Sequence, residues 1–413
     1  MYILMMKYNR WLLPILADAL KYRRVLLVTG PRQAGKTTLV EDFIGNHGAY
    51  FSLDDLSYRQ SALIDPHEFI KSDVIPMVID EVQRAPDLLP AIKRAVDKNN
   101  QPGQFLITGS ANVQALPTMQ ESLAGRVTRL QLMTLAQGEI QGKKPTFVRS
   151  AFQGDFSRDS KYYTKQDITD MALCGGFPEV LSLPAKQRTS WHKDYIDALL
   201  HRDLAEISKI HRMEAMESLI EILAAWSGKF MDLSKICAHL SVQRATVNSY
   251  IRALEFLYIV ERIPPWTKTD YDRVGKQDRL FITDSGLLSS ILGWKQLDPR
   301  EDGERIGKLL ETFIYHELSS IIRGNDEGYS LYHYRDREKR EIDFLIEDQD
   351  KKLLGIEVKA SSSVTSSDFK HIRWFQDKMA QNKSFKGIVL YTGNDLIPFG
   401  KNLWAVPMSS LWG

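Results

Sequence analysis

Cysteine is nearly missing: the 413-residue chain carries two, Cys174 and Cys237, far apart and without metal-ligand spacing. That scarcity excludes a disulfide framework and suits a reducing, cytoplasmic setting with free thiols. The nine histidines form no H-x-x-x-H or Cys/His cluster, so no zinc site is expected. An excess of one charge sign is lacking too. Lys and Arg number 54 against 52 Asp and Glu, a net charge of +2, so any nucleic-acid contact would need a local basic surface. No uninterrupted apolar run of 18 residues occurs, and the apolar opening stretch is broken by Lys7 and Arg10. This argues against a membrane span and against a signal-peptide core. At 43% hydrophobic and 26% charged the composition is ordinary for a globular protein. The length predicts about two to four domains.

What is present starts with residues 25–37, VLLVTGPRQAGKT. An apolar run breaks into Gly30-Pro31-Arg32-Gln33-Ala34-Gly35-Lys36-Thr37 and continues through Thr38 into a helix-like segment. This is G-x-x-x-x-G-K-[ST] in its required setting, strand before and helix after. Gly30 and Gly35 permit backbone angles that would strain a side chain. The N–H groups of residues 30–38 and the helix N-terminus converge on phosphate oxygens. Lys36 would reach the β- and γ-phosphates and Thr37 would offer its hydroxyl to Mg²⁺. The pattern implies a nucleoside-triphosphate site. Residues 76–81 form an apolar run ending in Asp80 and Glu81, the form of a Walker B strand. Asp80 would hold Mg²⁺ through water, and Glu81 would orient or deprotonate the attacking water.

Apolar strands are expected at 25–29, 49–53, 76–80, 104–108 and 127–132, alternating with helical segments. They imply an α/β fold with a parallel sheet. Beyond the fourth strand, Ser110 and then Asn112 are candidates for a polar sensor of the γ-phosphate; capping the next helix is the competing role. Arg126 is a candidate arginine finger, in cis or from a neighbouring copy, or else a surface arginine opening a strand.

With these residues in place the chain resembles the AAA+ ATPases, and more narrowly a prokaryotic group in which such a core precedes a domain of unknown function. The stretches GPRQAGKTTL, VIDEVQRAPDLL, LITGSAN, ESLAGR and CGGFPEV (174–180) carry the resemblance, which covers most of the chain. It implies ATP and Mg²⁺ as cofactors, hydrolysis of ATP and a possible homo-oligomer. Gly175, Gly176 and Pro178 read physically as a turn between two helices.

The expected division is an ATPase core at 1–140 and a polar linker with a helical lid or bridge at 141–212. A winged helix-turn-helix at 213–270 and a nuclease-like domain at 271–413 follow. In the lid, Arg202 is a candidate nucleotide sensor or a solvated surface arginine. In the third unit, Asp232 and Ser241 or Thr246 suit helix N-caps. Gln243, Arg244, Thr246, Asn248 and Arg252 would face outward, toward a DNA major groove or a protein partner.

In the last unit Asp343 precedes Glu357-Val358-Lys359, and strand alternation puts Glu357 and Lys359 on one face. Asp343, Glu357 and Glu311, the last from an upstream helix, would hold Mg²⁺, with Lys359 positioning the water. This region resembles the PD-(D/E)xK restriction-endonuclease-like fold, although Ile342 stands where that pattern has proline. Arg335, Arg337, Lys339 and Arg340 would touch a phosphate backbone or would be solvated hairpin charges. Two functions remain in play. One is an ATPase driving a DNA-binding or nuclease-like rear half; the other is an ATP-dependent switch whose rear half binds a protein partner.

Overall fold

The computed structural model describes residues 7–45, 48–109, 125–156, 161–204, 212–269, 277–381 and 383–412. The front of the chain forms a five-stranded sheet from β1 (Val25–Thr29), β2 (Ala49–Ser52), β3 (Met77–Asp80), β4 (Phe105–Thr108) and β5 (Val127–Gln131). Its order is β2-β3-β4-β1-β5 and every neighbouring pair is parallel. Side chains alternate along β1, as strand geometry requires. Val25 and Leu27 join Ile79 and Ile107 against helix Leu88–Lys98 on one face. Leu26 and Val28 join Val78 and Leu106 against helices Leu12–Ala19 and Lys36–Ile44 on the other. Both faces are covered, and so the central strands are apolar throughout. Insertion of β4 between β1 and β3 places the ends of all three at one edge of the sheet.

Behind this sheet, buried apolar side chains from Ala136 to Trp412 form one connected core. The expected linker is part of it. Residues 147–153 form helix Phe147–Gln153, which buries Phe147, Val148 and Ala151. Phe152 stacks on Tyr329 with ring centroids 5.4 Å apart. Polar and glycine neighbours on either side mask this short apolar face in the sequence. Helix Lys165–Cys174 ends at Gly175 in the left-handed region, φ 72°, the turn expected there. Helix Ala185–Ala198 runs into a π-helical turn, Leu199–Asp203.

Helices Met213–Ala225, Leu233–Leu240 and Arg244–Phe256 follow, then β6 (Val260–Ile263) antiparallel to β7 (Arg279–Ile282). This pairing joins residues on either side of the division expected at residue 270. Asp232 caps its helix by accepting from the N–H groups of Ser234 and Lys235. Ser241 is no N-cap: it sits at φ 52° at the C-terminus of that same helix. Nor is Thr246, which lies within the next helix, whose N-cap is Gln243.

The last sheet has the order β12-β13-β11-β10-β9-β8. Strands β8 (Ser330–Arg335), β9 (Glu341–Glu347) and β10 (Leu353–Lys359) form an antiparallel meander. β11 (Phe385–Tyr391) and β13 (Leu403–Pro407) continue parallel to β10, with β12 (Ile397–Gly400) antiparallel at the edge. The 21-residue helix Gly303–Arg323 and helix Lys370–Lys378 pack against this sheet. Among the described residues, no helix is long and apolar enough to cross a membrane.

Candidate functional site

At the edge where the front strands end, β1 passes through Gly30 into the loop and helix Lys36–Ile44 begins directly after Gly35. Gly35 has φ 93°, a left-handed angle that costs a Cβ-bearing residue strain. Gly30 is required for space: a Cβ there would collide with the carbonyl of Leu132, which follows β5. Arg10 ties down the loop from outside, donating to the carbonyls of Ala34 and Met133 at 2.6 Å each. Its Nε donates to Glu139 at 3.1 Å. Among the other loop residues, Pro31 and Ala34 are buried, Arg32 is half-buried, and Gln33 and Thr38 are exposed.

Lys36 is 5% exposed and donates to the carbonyls of Gly30 at 3.1 Å and Pro31 at 2.8 Å. Burial lowers its pKa to about 8, against the raising effect of Glu81 and Asp80. Two consequences follow. The unfolded chain holds this proton up to about its usual 10.5, so burying the ammonium penalises folding at neutral pH, and the penalty is relieved as pH rises through 8. Phosphate binding needs the ammonium, so affinity for an ATP analogue should fall roughly tenfold per pH unit above about 8. A titration of Kd between pH 7 and 9.5 checks this, with loss of the slope in Lys36→Met assigning it.

Asp80 ends β3, is 2% exposed and is the focus of three hydroxyls. Thr37 and Tyr50 each donate to its Oδ2 at 3.0 Å, and Thr108 donates to its Oδ1. Thr108 also accepts from the backbone N–H of Glu81 at 3.1 Å, fixing that residue at φ 59°. Gln83 donates to the Glu81 carboxylate. Thr37 and Asp80, a hydroxyl and a carboxylate in contact, are the hard-oxygen donors that Mg²⁺ takes beside a phosphate, so the residues fit the ion. The sequence supplied Gly30, Gly35, Lys36, Thr37, Asp80 and Glu81, and the fold brings them together.

Tyr50 and Thr108 were missed as site residues. The clue for Thr108 was its place as last residue of the strand beside β3; nothing in the sequence marked Tyr50. Ser110 and Asn112 lie outside the described residues. Arg126 requires a correction. It precedes Val127, which pairs with Val25 at the start of β1, so it lies at the end of the sheet away from its own loop. There it binds Asp97 through two bonds of 2.5 and 3.0 Å. A finger in cis is incompatible with that position. Arg202 is exposed, and it is its neighbour Asp203 that reaches the loop. Asp203, buried on the π-helical turn, pairs with Arg32, with Oδ1 accepting at 2.7 Å.

With this geometry established, comparison with known proteins gives consistent matches. Residues 22–141 match the family model described as an AAA domain. Residues 165–298 and 306–411 match two further models, each described as a domain of unknown function. The front sheet is an AAA-type P-loop domain. The chain is similar to an uncharacterized protein of Mycobacterium tuberculosis, 27% identical over 96% of this chain and 82% of that one. It is also similar to an uncharacterized protein of Methanocaldococcus jannaschii, 22% identical over 81% and 74% respectively. A Walker-type ATPase of Pyrococcus abyssi overlaps 68% of this chain and 94% of its own, with 12% identity and a TM-score of 0.39.

The expected rear site assembles differently from its prediction. Helix Gly303–Arg323 supplies Glu311, β9 supplies Asp343, and β10 supplies Glu357 and Lys359. Between them lies Arg279 of β7, 6% exposed. Its guanidinium pairs with Glu311 and with Asp343 Oδ1, the latter at 3.2 Å. Asp343 Oδ2 accepts from the Val358 N–H at 2.9 Å, and Lys359 lies 3.5 Å from Glu357. Burial raises Glu311 to about 8 although Arg279 pulls it down. Burial, and then the charge of Asp343, raises Glu357 well above the usual carboxylate range. A permanently charged guanidinium sits among these groups, and among the described residues no cluster of three or more metal-ligating side chains occurs. The residues expected to hold Mg²⁺ are thus engaged with basic side chains, Glu311 and Asp343 with Arg279 and Glu357 with Lys359. Nearby, Arg335 pairs with Glu341 at 2.9 Å, and Arg340 with Asp336 at 2.6 Å while lying over the Trp374 ring. Arg337 and Lys339 are exposed.

Proposed function

We propose that the protein hydrolyses ATP with Mg²⁺ at the loop of residues 30–37 and works as a nucleotide-driven switch. In this reading Lys36 holds the phosphates, Thr37 and Asp80 hold the ion, and Glu81 directs the water from an angle set by Thr108. Arg126 acts only in trans, from a neighbouring copy, after leaving Asp97. The observation that carries the switch is the pairing of loop residue Arg32 with Asp203, a residue of the rear body. An anion taken into the loop changes the field at Arg32, and therefore the hold of Asp203, and with it the helix Ala185–Ala198 that leads into the rear core. The output is binding to a macromolecular partner. Phosphodiester cleavage is left out of this reading because Arg279 is paired with Glu311 and Asp343, two of the three carboxylates that a divalent ion there would need.

DNA as that partner is favoured by the exposed Gln243, Arg244 and Arg252 on helix Arg244–Phe256. That helix follows a turn and precedes a two-stranded sheet, the arrangement of a winged helix-turn-helix. Thr246 and Asn248 are half-buried and would contribute less. The test is ATP turnover with and without duplex DNA across a range of salt and protein concentrations. Stimulation that falls steeply with salt is expected if DNA is the partner. Turnover indifferent to DNA, with a protein captured instead, assigns the output to a protein partner. No turnover at any protein concentration sinks the ATPase reading itself.

A further inference from the structure

Glu311, Asp343 and Glu357 are the acidic residues of the rear site, and with Arg279 among them they form no group that could hold a metal. Arg279 reaches the site from β7, and its Nε donates to the carbonyl of Gly228, which lies after helix Met213–Ala225. Phe230 and Phe281 flank the guanidinium, with ring centroids 5.9 and 5.5 Å from Cζ. The backbone approaches closely here: a Cβ on Gly228, which has φ 77°, would press on the Glu311 carboxylate. Arg279 is therefore fixed by its own surroundings as well as by the carboxylates. Two carboxylate oxygens of the set, Glu311 Oε1 and Glu357 Oε2, are buried without a hydrogen-bond partner.

We infer that Arg279 is a built-in plug: its guanidinium fills a latent divalent-cation site made by Glu311, Asp343 and Glu357, and keeps it closed to metal. The physical warrant is one of charge and donors. Of the three acidic side chains, from a helix and two adjacent strands, Glu311 and Asp343 pair with the buried Arg279 and Glu357 lies 3.5 Å from Lys359. The arginine forms an ion pair with Glu311 and a hydrogen-bonded pair with Asp343, occupying two of the carboxylates a metal would otherwise take. A divalent ion and the guanidinium cannot share the space. Because the plug belongs to the hairpin of the three-helix unit while the carboxylates belong to the last sheet and its helix, it also joins those two units.

The experiment is Mn²⁺ binding to the full chain, without nucleotide, followed by paramagnetic resonance. Wild type and Asp343→Asn should bind the same amount of Mn²⁺. Arg279→Gln should bind about one ion more per chain, and Arg279→Gln with Asp343→Asn should lose that ion. Loss of Mn²⁺ on introducing Asp343→Asn into the wild type overturns the inference, since the site would then be open with the arginine present. A folded Arg279→Gln that gains no ion also overturns it. If Arg279→Gln unfolds in chelator, Mn²⁺ should restore cooperative unfolding; failure of that rescue overturns the inference as well. The loop of residues 30–37 is untouched by these variants, so the ATPase reading stands or falls separately.

Discussion

Replacing Lys36 by alanine is expected to lower ATP turnover by roughly 10²–10³-fold, the scale on which removal of one charge-stabilising donor acts. Lys36 is the ammonium held inside the loop, and its two carbonyl partners at 3.1 and 2.8 Å keep it aimed along residues 30–36. Alanine removes both the charge and the side chain that spans the loop. Stability should change little or rise slightly at neutral pH, because the variant no longer buries an ammonium whose pKa is pushed down by desolvation. Steady-state turnover paired with thermal unfolding separates the two effects. Turnover equal to wild type in a folded variant would contradict the assignment of the site.

The second large effect is structural. Asp284→Ala should destabilise the protein by about 3–5 kcal/mol, because three buried donors lose their acceptor together. Asp284 is 1% exposed and caps helix Ser285–Ile291 by accepting from the Leu287 N–H at 2.9 Å. Its other oxygen accepts from the Gly176 N–H at 2.8 Å and the Thr134 hydroxyl at 2.9 Å. Thr134 in turn lies 2.8 Å from His316 Nε2. Urea unfolding of Asp284→Ala and Asp284→Asn gives the measurement. Asparagine keeps an acceptor oxygen and should lose less. Equal stability of all three proteins would show that the cluster contributes nothing.

The same cluster explains why the stretch CGGFPEV carries no chemistry readable from its residues. Gly175 and Gly176 are glycines because Asp284 and the backbone of Gly286 press on the first, and the Leu135 carbonyl on the second. Those partners lie more than a hundred residues away along the chain in one direction, or some forty in the other, and local pattern cannot show them. By contrast, the nucleotide loop and the strand ending in Asp80 were legible because both motifs are contiguous and their spacing is set by the sheet itself. The front strands were legible to within one residue, and β1, β3 and β4 most directly, since each is a short run, apolar but for its last residue at most, buried on both faces. Tyr50 was not legible, since its role depends on β2 lying beside β3. Arg279 was hidden for a deeper reason. A pattern of acidic residues and a lysine suggests a metal, and nothing nearby reports that an arginine on another unit enters the same space. The polar linker expected at 141–165 failed on composition, where a few apolar residues among lysines and glycines were enough to build a buried helix.

The segment after β5 has a bearing on how such a chain could be cut or exchanged. Leu132 crosses the nucleotide loop at Gly30, Met133 and Glu139 hold Arg10, and the N–H of Leu135 donates to the Gly176 carbonyl at 2.7 Å. The N–H of Gln137 donates to the buried Glu317 carboxylate at 2.9 Å. The matched AAA stretch ends at residue 141, but the fold has no seam there. A fragment stopped at that point would expose Thr134 and Gln137 and strip the loop's brace of its support. A front sheet grafted onto a different rear half would meet the same difficulty. A fragment of residues 1–141 is therefore expected to unfold at lower urea than the same sheet within the full chain.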